Sequence, residues 1–176
     1  MSDVTYSQFE TPIGLIWIAS SEAGVCYLAL PNQGRETFLA RLQKAWPDSL
    51  LAESLERNSN PAEEVLAYFA GEVRAFESPL DVRAGTPFQQ DVWRAVAAIP
   101  YGETCSYGDI ARTIGRPRSF RAVGAANGAN PLPIFVPCHR VIGSDGSLTG
   151  YGGGMALKQW LLENEKAVCQ NRLPNF

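Results

Sequence analysis

The stretch Ser106–Ala129, SYGDIARTIGRPRSFRAVGAANGA, decides how the second half of the chain folds. Ser106 followed three residues later by Asp109 has the form of a capping box, in which each side chain satisfies a backbone N–H of the other residue. Gly115 supplies a stop. Pro117, with its φ already set for a first helical turn, can start the next helix. Two short helices joined across GRPRS have the spacing of a helix-turn-helix. Arg112, Arg116, Arg118 and Arg121 fall within ten residues of one another. Arginine at a helix start opposes the helix dipole, so stability does not explain it, and phosphate contacts do. From Ala122 the second helix continues in small residues. That pattern permits close approach of a bulky partner such as a DNA backbone, and equally permits tight packing between helices.

TPFQQDVWRAVAAI predicts a helix with Thr86 as cap and Pro87 in its first turn. Phe88, Val92, Trp93, Val96 and Ile99 form one face, and PYG breaks it. A last helix, MALKQWLLENEK, is expected to pack through Met155, Leu157, Trp160 and Leu161. The first half opens with TYSQFET, GLIWIAS and GVCYLAL, β-like runs separated by PIG and SEAG, which read as an antiparallel meander. RETFLARLQKAW follows as a helix through Phe38, Leu39, Leu42 and Trp46. NPAEEVLAYFAGE predicts another, with Asn60 as N-cap, Pro61 at the first helical position and Gly71 as stop. ESPLDVRAGTP reads as a linker with a boundary near 82–86. The expected class is α+β: an N-terminal mixed α/β domain with an antiparallel sheet over residues 1–84, and a mainly helical domain carrying the helix-turn-helix over 85–176.

Bulk properties narrow the function. At 176 residues, 45% hydrophobic and 19% charged, the chain has the composition of an ordinary globular protein. No run approaches the ~20 apolar residues of a membrane span. MSDVTYSQFE has neither the charged nor the apolar region of a signal peptide. Four cysteines without a CxxC pair, beside one histidine, argue against a zinc site and a disulfide framework, so free thiols in a reducing compartment are expected. The net charge of −3 is unevenly spread: residues 1–85 carry 6 basic against 12 acidic side chains, and residues 86–176 carry 9 against 6. The basic second half suits a polyanion, and chance variation in surface charge would also produce it.

The one histidine stands beside a cysteine in NPLPIFVPCHRVIG, Asn130–Gly143. Pro137 keeps Val136 out of helical geometry, so IFV is expected to be extended, and PCHRVI to begin a short helical turn with Cys138 near its start. Backbone N–H groups there favour a thiolate. Neighbouring side chains on a helical turn do not face each other, so His139 would reach Cys138 through a water. An inert buried cysteine beside a structural histidine fits the same residues. GYGGG, Gly150–Gly154, matches neither phosphate-loop nor dinucleotide fingerprints. It reads either as a loop whose backbone approaches a planar ligand, with Tyr151 to stack, or as a connector.

Taken together, RAVGAANGANP, PCHRVIG, GYGGG and KQWLLENE, running without gaps from about Thr86 to Lys166, resemble the O6-alkylguanine-DNA alkyltransferase family (methylated-DNA–protein-cysteine methyltransferases). The first half resembles it more loosely through TPIGLIWI and AYFAGE, and by resemblance is a ribonuclease-H-like domain. The resemblance implies direct DNA repair: the alkyl group of O6-alkylguanine, with O4-alkylthymine as a second candidate, passes irreversibly and once to Cys138 after the base is flipped from the minor groove. His139 matches the residue that deprotonates the thiol through water, Glu165 the carboxylate that orients it, and Asn130 an asparagine hinge. Arg121 matches the arginine that fills the vacated stack, and Tyr107 the tyrosine that helps rotate the nucleotide and binds the guanine edge. Gln89, Gly108, Arg116 and Ser144 match DNA contacts. Val141, Tyr151, Gly152 and Gly153 match the base pocket, with Gly152 standing where some relatives have serine.

No cofactor and no metal are expected, since the zinc ligands of animal members have no counterpart here. The implied partner is double-stranded DNA carrying the lesion, met by a cytoplasmic monomer that can load cooperatively along DNA, with no membrane role. The rival readings are a non-catalytic binder of alkylated DNA, a plain helix-turn-helix regulator and a cysteine hydrolase.

Overall fold

A computed structural model describes residues 3–171, with side chains described through residue 166. It divides into two compact units: Met1–Thr86 with Pro131–Phe135, and Pro87–Asn130 with Val136–Phe176. A five-residue segment from the second half of the chain thus belongs to the first unit.

The first unit is built on strands β1 (Asp3–Thr11), β2 (Gly14–Ser21) and β3 (Gly24–Ala29), which form the expected meander. Helix α1 (Arg35–Ala45), strand β4 (Leu50–Glu53) and helix α2 (Leu55–Phe69) follow. β4 pairs parallel to β1, giving the sheet order β3-β2-β1-β4. The strands are buried in runs rather than alternately, as expected where both sheet faces are covered. On one face Tyr6, Trp17, Ala19 and Tyr27 pack with Phe38 and Leu42 of α1. By strand alternation Ile16 and Ile18 face the other way, and α2 packs along β1 and β2.

The Asn60–Pro61 signal predicts a helix start there, but α2 begins at Leu55. Ser54 is its N-cap, accepting from the Arg57 N–H at 3.3 Å. Pro61 therefore lies inside the helix, buried, where the backbone does without its N–H. The linker also differs from expectation. Val25 N–H donates to Pro79 O and Asp81 N–H to Val25 O, both at 2.8 Å, so its first residues extend the sheet edge beside β3. Asp81 is buried there, accepting from Ser21 Oγ and paired with Arg83.

Gly24 makes this edge possible. Its φ is +143°, and a Cβ would sit 2.1 Å from Pro79 O. Gly24→Ala must push the linker off the edge, and we expect a loss of about 2 kcal/mol or more, read from the urea midpoint. The same β3 edge takes the returning segment, with Leu28 N–H donating to Pro131 O at 2.8 Å. Within that segment Ile134 has φ +78°, a left-handed conformation unfavourable for a β-branched residue, held where the side chain is fully buried.

The second unit holds α3 (Pro87–Ala97), β5 (Cys105–Ser106), α4 (Tyr107–Thr113), α5 (Phe120–Gly128), β6 (Val141–Ile142) and α6 (Met155–Asn171). α3 buries Val92, Trp93 and Val96 as its periodicity predicts, and Trp93 Nε1–H donates to Ala126 O at 2.8 Å, tying α3 to α5. The capping box is present in both directions between Ser106 and Asp109, and Gly115 closes α4 with φ +72°. α5 starts at Phe120 behind Ser119, three residues beyond Pro117. β5 and β6 form a short parallel pair that the sequence did not announce.

α6 corrects its expected face. Leu161 is buried, but Met155 and Trp160 are exposed, and the inward stripe is Lys158, Leu161, Leu162 and Glu165. That stripe keeps helical spacing while carrying two charges, so hydrophobicity alone points to the wrong side. Among the described residues no helix is long and apolar enough to cross a membrane.

Candidate active site and nucleic-acid interface

Every candidate residue named above lies in the second unit. Cys138, His139 and Arg140 form a single 3-10 turn between Pro137 and β6, and all three are buried. The turn is held from both directions. Asn130 Nδ2–H donates to Val136 O at 2.8 Å, and Asn127 Nδ2–H to Cys138 O at 3.3 Å. Asn127 belongs to α5 and Asn130 follows its C-cap, Ala129, so α5 and the cysteine turn are coupled through two amides.

Beneath the turn lies a compact ionic network. Glu165 is completely buried on α6. Its Oε1 lies 2.7 Å from His139 Nε2, and it accepts from Arg140 Nε at 3.0 Å and Nη2 at 3.0 Å. The Gly102 N–H adds a further donor at 3.1 Å. Arg140 Nη1–H donates to Ile99 O at 2.7 Å, and its guanidinium lies 5.4 Å from the Tyr101 ring centroid. Burial alone would raise the Glu165 pKa. The bonds from His139 and Arg140 outweigh it, holding the carboxyl at about 2. Burial also dominates His139 and lowers its pKa in spite of Glu165, so the ring is neutral. An ionised Glu165 fixes the proton on Nε2, leaving the ring's lone pair on Nδ1.

The thiol differs from expectation. A position at the start of a turn suggests a lowered pKa, but Cys138 is only 6% exposed and burial raises it. The Asn130 side chain and the Lys158 charge act in the opposite sense without reversing the shift. The resting sulfur is therefore a thiol. A three-residue turn has too few aligned N–H groups to match the desolvation of a sulfur anion.

Lys158 is a functional candidate that sequence reading passed over. It is fully buried, and its Nζ donates to Val141 O at 2.7 Å and Thr149 O at 2.9 Å, stapling both ends of the 141–149 loop to α6. Its spacing of seven from Glu165, two turns along one helix face, was the available signal. Tyr151 brings its ring edge-on to His139, with centroids 6.5 Å apart. Its hydroxyl oxygen is buried with no hydrogen-bond partner, and burial pushes the phenol pKa well above its usual range. Tyr107, half-buried at the start of α4, accepts from Thr149 Oγ1 at 2.8 Å, so it shares the 141–149 loop with Lys158. Gly152 and Gly153 lie between Tyr151 and α6. Among the described residues no group of three or more His, Cys, Asp or Glu could hold a metal ion.

The remaining candidates lie on the outer surface. Arg112, Arg116, Arg118 and Arg121 are exposed. Arg116 lies 5.5 Å from the Phe88 ring centroid, beside half-buried Gln89. α5 turns Val123, Ala126 and Asn127 inward and Ala122, Ala125, Gly128 and Ala129 to solvent. Of the two readings of its small residues, the outward row is thus free to admit a bulky partner. Gly108 opens α4 beside Tyr107, and Ser144 is exposed in the loop after β6, where Gly143 N–H donates to Ser147 O at 2.8 Å.

A buried thiol next in sequence to a buried histidine–carboxylate pair, in a unit whose helix-turn-helix turns arginine and alanine outward, is the arrangement expected of a protein that does thiol chemistry on a nucleic acid. Comparison with known proteins agrees. The family profile "6-O-methylguanine DNA methyltransferase, DNA binding domain" matches residues 87–167, and "6-O-methylguanine DNA methyltransferase, ribonuclease-like domain" matches residues 4–82. The methylated-DNA–protein-cysteine methyltransferase of Mycolicibacterium paratuberculosis is 45% identical over 163 residues, covering 93% of each chain. That of Methanosarcina acetivorans is 44% identical over 91% of this chain and 97% of its own. The crystal structure of Mycobacterium tuberculosis O6-methylguanine methyltransferase superposes with a TM-score of 0.81 at 44% identity, covering 98% and 96% of the two chains. The chain belongs to the 6-O-methylguanine DNA methyltransferase family.

Proposed function

We propose that the protein repairs double-stranded DNA by moving the alkyl group of O6-alkylguanine onto Cys138. The observation that carries this reading is the buried Cys138–His139–Glu165 arrangement coupled through Asn127 and Asn130 to an arginine-bearing helix. A stacked base keeps its O6 substituent out of reach of a buried sulfur, so the nucleotide must leave the helix before reaction. α5 enters the minor groove with its small-residue face, Arg121 fills the space left in the stack, and Tyr107 guides the turning nucleotide. Gln89, Gly108, Arg116 and Ser144 hold the strand. Val141, Tyr151, Gly152 and Gly153 bound the base pocket, where the Tyr151 hydroxyl gains a partner on the base.

His139 Nδ1 takes the thiol proton through a bridging water, and Glu165 steadies the resulting imidazolium. The thiolate attacks the alkyl carbon as the bond from that carbon to O6 breaks. Guanine leaves as an anion and takes a proton, and Cys138 becomes a thioether. A thioether has no ready leaving path, so each molecule acts once. Asn130 and Lys158 oppose the desolvation cost of the sulfur anion during that step. The chain supplies all of these groups, and no cofactor enters the reaction. The three described cysteines are free, which suits the cytoplasm, where we place the protein as a monomer.

The test is chemical. A duplex containing one O6-methylguanine is incubated with the protein, digested and separated into nucleosides. Guanine should replace the modified nucleoside one for one. Release of the modified base, or an unchanged lesion held in a tight complex, would instead make the protein a glycosylase or a non-catalytic binder.

A further inference from the structure

The outer face of α5 is smooth except at its start. Phe120, its first residue, is 50% exposed, more than any other described aromatic side chain. The guanidinium of Arg121 lies 5.8 Å from the centroid of its ring. Ala122, Ala125, Gly128 and Ala129 follow on the exposed side with nothing bulkier than a methyl group. Arg112, Arg116 and Arg118 are exposed nearby in sequence. A large apolar ring is left in water within a surface made cationic by Arg112, Arg116, Arg118 and Arg121, a surface that answers a polyanion. It suits a duplex: proteins that enter the minor groove set arginine beside an apolar wedge that opens a base step.

We propose that Phe120 is a second wedge acting with Arg121. On the reading that the nucleotide is extruded and Arg121 enters the gap, the Phe120 ring goes in beside it and packs against the flanking nucleotide, keeping the stack from closing. Contact with the ring also limits the rotamers of Arg121 before DNA arrives, so less side-chain entropy is lost on insertion. The ring touches neither the sulfur nor its relay. Its contribution is therefore confined to substrates that have a stack to open.

The experiment compares single-turnover transfer from O6-methylguanine in duplex and in the same strand unpaired, for wild type, Phe120→Ala and Phe120→Leu. Phe120→Ala should slow the duplex reaction by about tenfold, equivalent to about 1.4 kcal/mol, and the single-strand reaction by less than about twofold. Phe120→Leu should recover most of the duplex rate, because a wedge needs apolar bulk. A 2-aminopurine beside the lesion reports the open stack, and its fluorescence rise on binding should shrink with Phe120→Ala. Equal slowing on both substrates would make the ring merely structural, and no slowing on duplex would leave it to some other partner; either result overturns the wedge. A wild-type protein that transfers from neither substrate overturns the repair reading and the wedge with it.

Discussion

Cys138→Ser should abolish alkyl transfer, lowering the single-turnover rate by ~10^3-fold or more, while binding to alkylated duplex survives. The reason lies in the proton. Burial already holds the Cys138 thiol above its usual pKa, and the protein compensates with the Asn130 hydrogen bond, the Lys158 charge and a neutral imidazole next in sequence. Those aids suit an acid of thiol strength. A serine hydroxyl holds its proton several orders of magnitude more tightly, and it is also a poorer nucleophile toward saturated carbon. The substitution is nearly isosteric and leaves the exposed arginines and the small-residue face of α5 unchanged, so a gel-shift titration should give wild-type affinity within about threefold. Loss of binding together with loss of transfer would show that the cysteine turn, rather than the sulfur, had been damaged.

Glu165→Gln should have the second largest effect, on activity and stability together. The carboxylate accepts from His139, from Arg140 twice and from Gly102. An amide cannot balance the Arg140 charge, and breaking a buried ion pair from one side costs about 3–5 kcal/mol. It also frees the imidazole to adopt the wrong tautomer, so the transfer rate should fall by about 10^2-fold. His139→Gln separates the two effects, because it removes the base but keeps the Glu165–Arg140 pair.

The pH dependence of stability carries the same signature. Glu165 titrates near 2 in the folded protein against 4.5 ordinarily, so its contribution is complete above pH 4.5 and is lost as pH falls toward 2. His139 is lowered below 6.5, so the unfolded chain takes up that proton first, and stability begins to decline as pH drops below 6.5. Urea unfolding from pH 7 to 3 should show both declines in the wild type. In Glu165→Gln the decline beginning near pH 6.5 should remain, and the acid-side decline should shrink without vanishing, because Asp81 and Asp109 are also held below the usual carboxylate range.

What could be read from the sequence was what is local. The meander is written in β-rich runs punctuated by PIG and SEAG, α3 in its periodicity and α4 in its capping box. What escaped depends on distant partners. Leu50–Glu53 becomes a strand only because β1, whose paired residues lie 47 positions earlier (Asp3 opposite Leu50), offers a parallel edge. Ser54 is recognisable as a cap once the chain after it is known to turn helical, and Asn60–Pro61 gave a stronger local signal in the wrong place. α6 misled because its buried stripe holds Lys158 and Glu165, whose burial is tolerable only with carbonyls, His139 and Arg140 waiting for them.

The site divides in the same way. The pairing of Cys138 with His139 is visible in one tetrapeptide, but Glu165 lies 26 residues from His139 and was named through resemblance alone. The charge state of the thiol was misread because a turn start is a local feature and desolvation is not.

The most direct test is the intact mass of the protein after exposure to excess duplex carrying O6-methylguanine, followed by peptide mapping. The account predicts a gain of one CH2 per molecule, found wholly on the peptide containing Cys138, with lesion loss stopping at one equivalent of protein. Lesion loss continuing past that equivalent, or a methyl group lodged on any other residue, would contradict it.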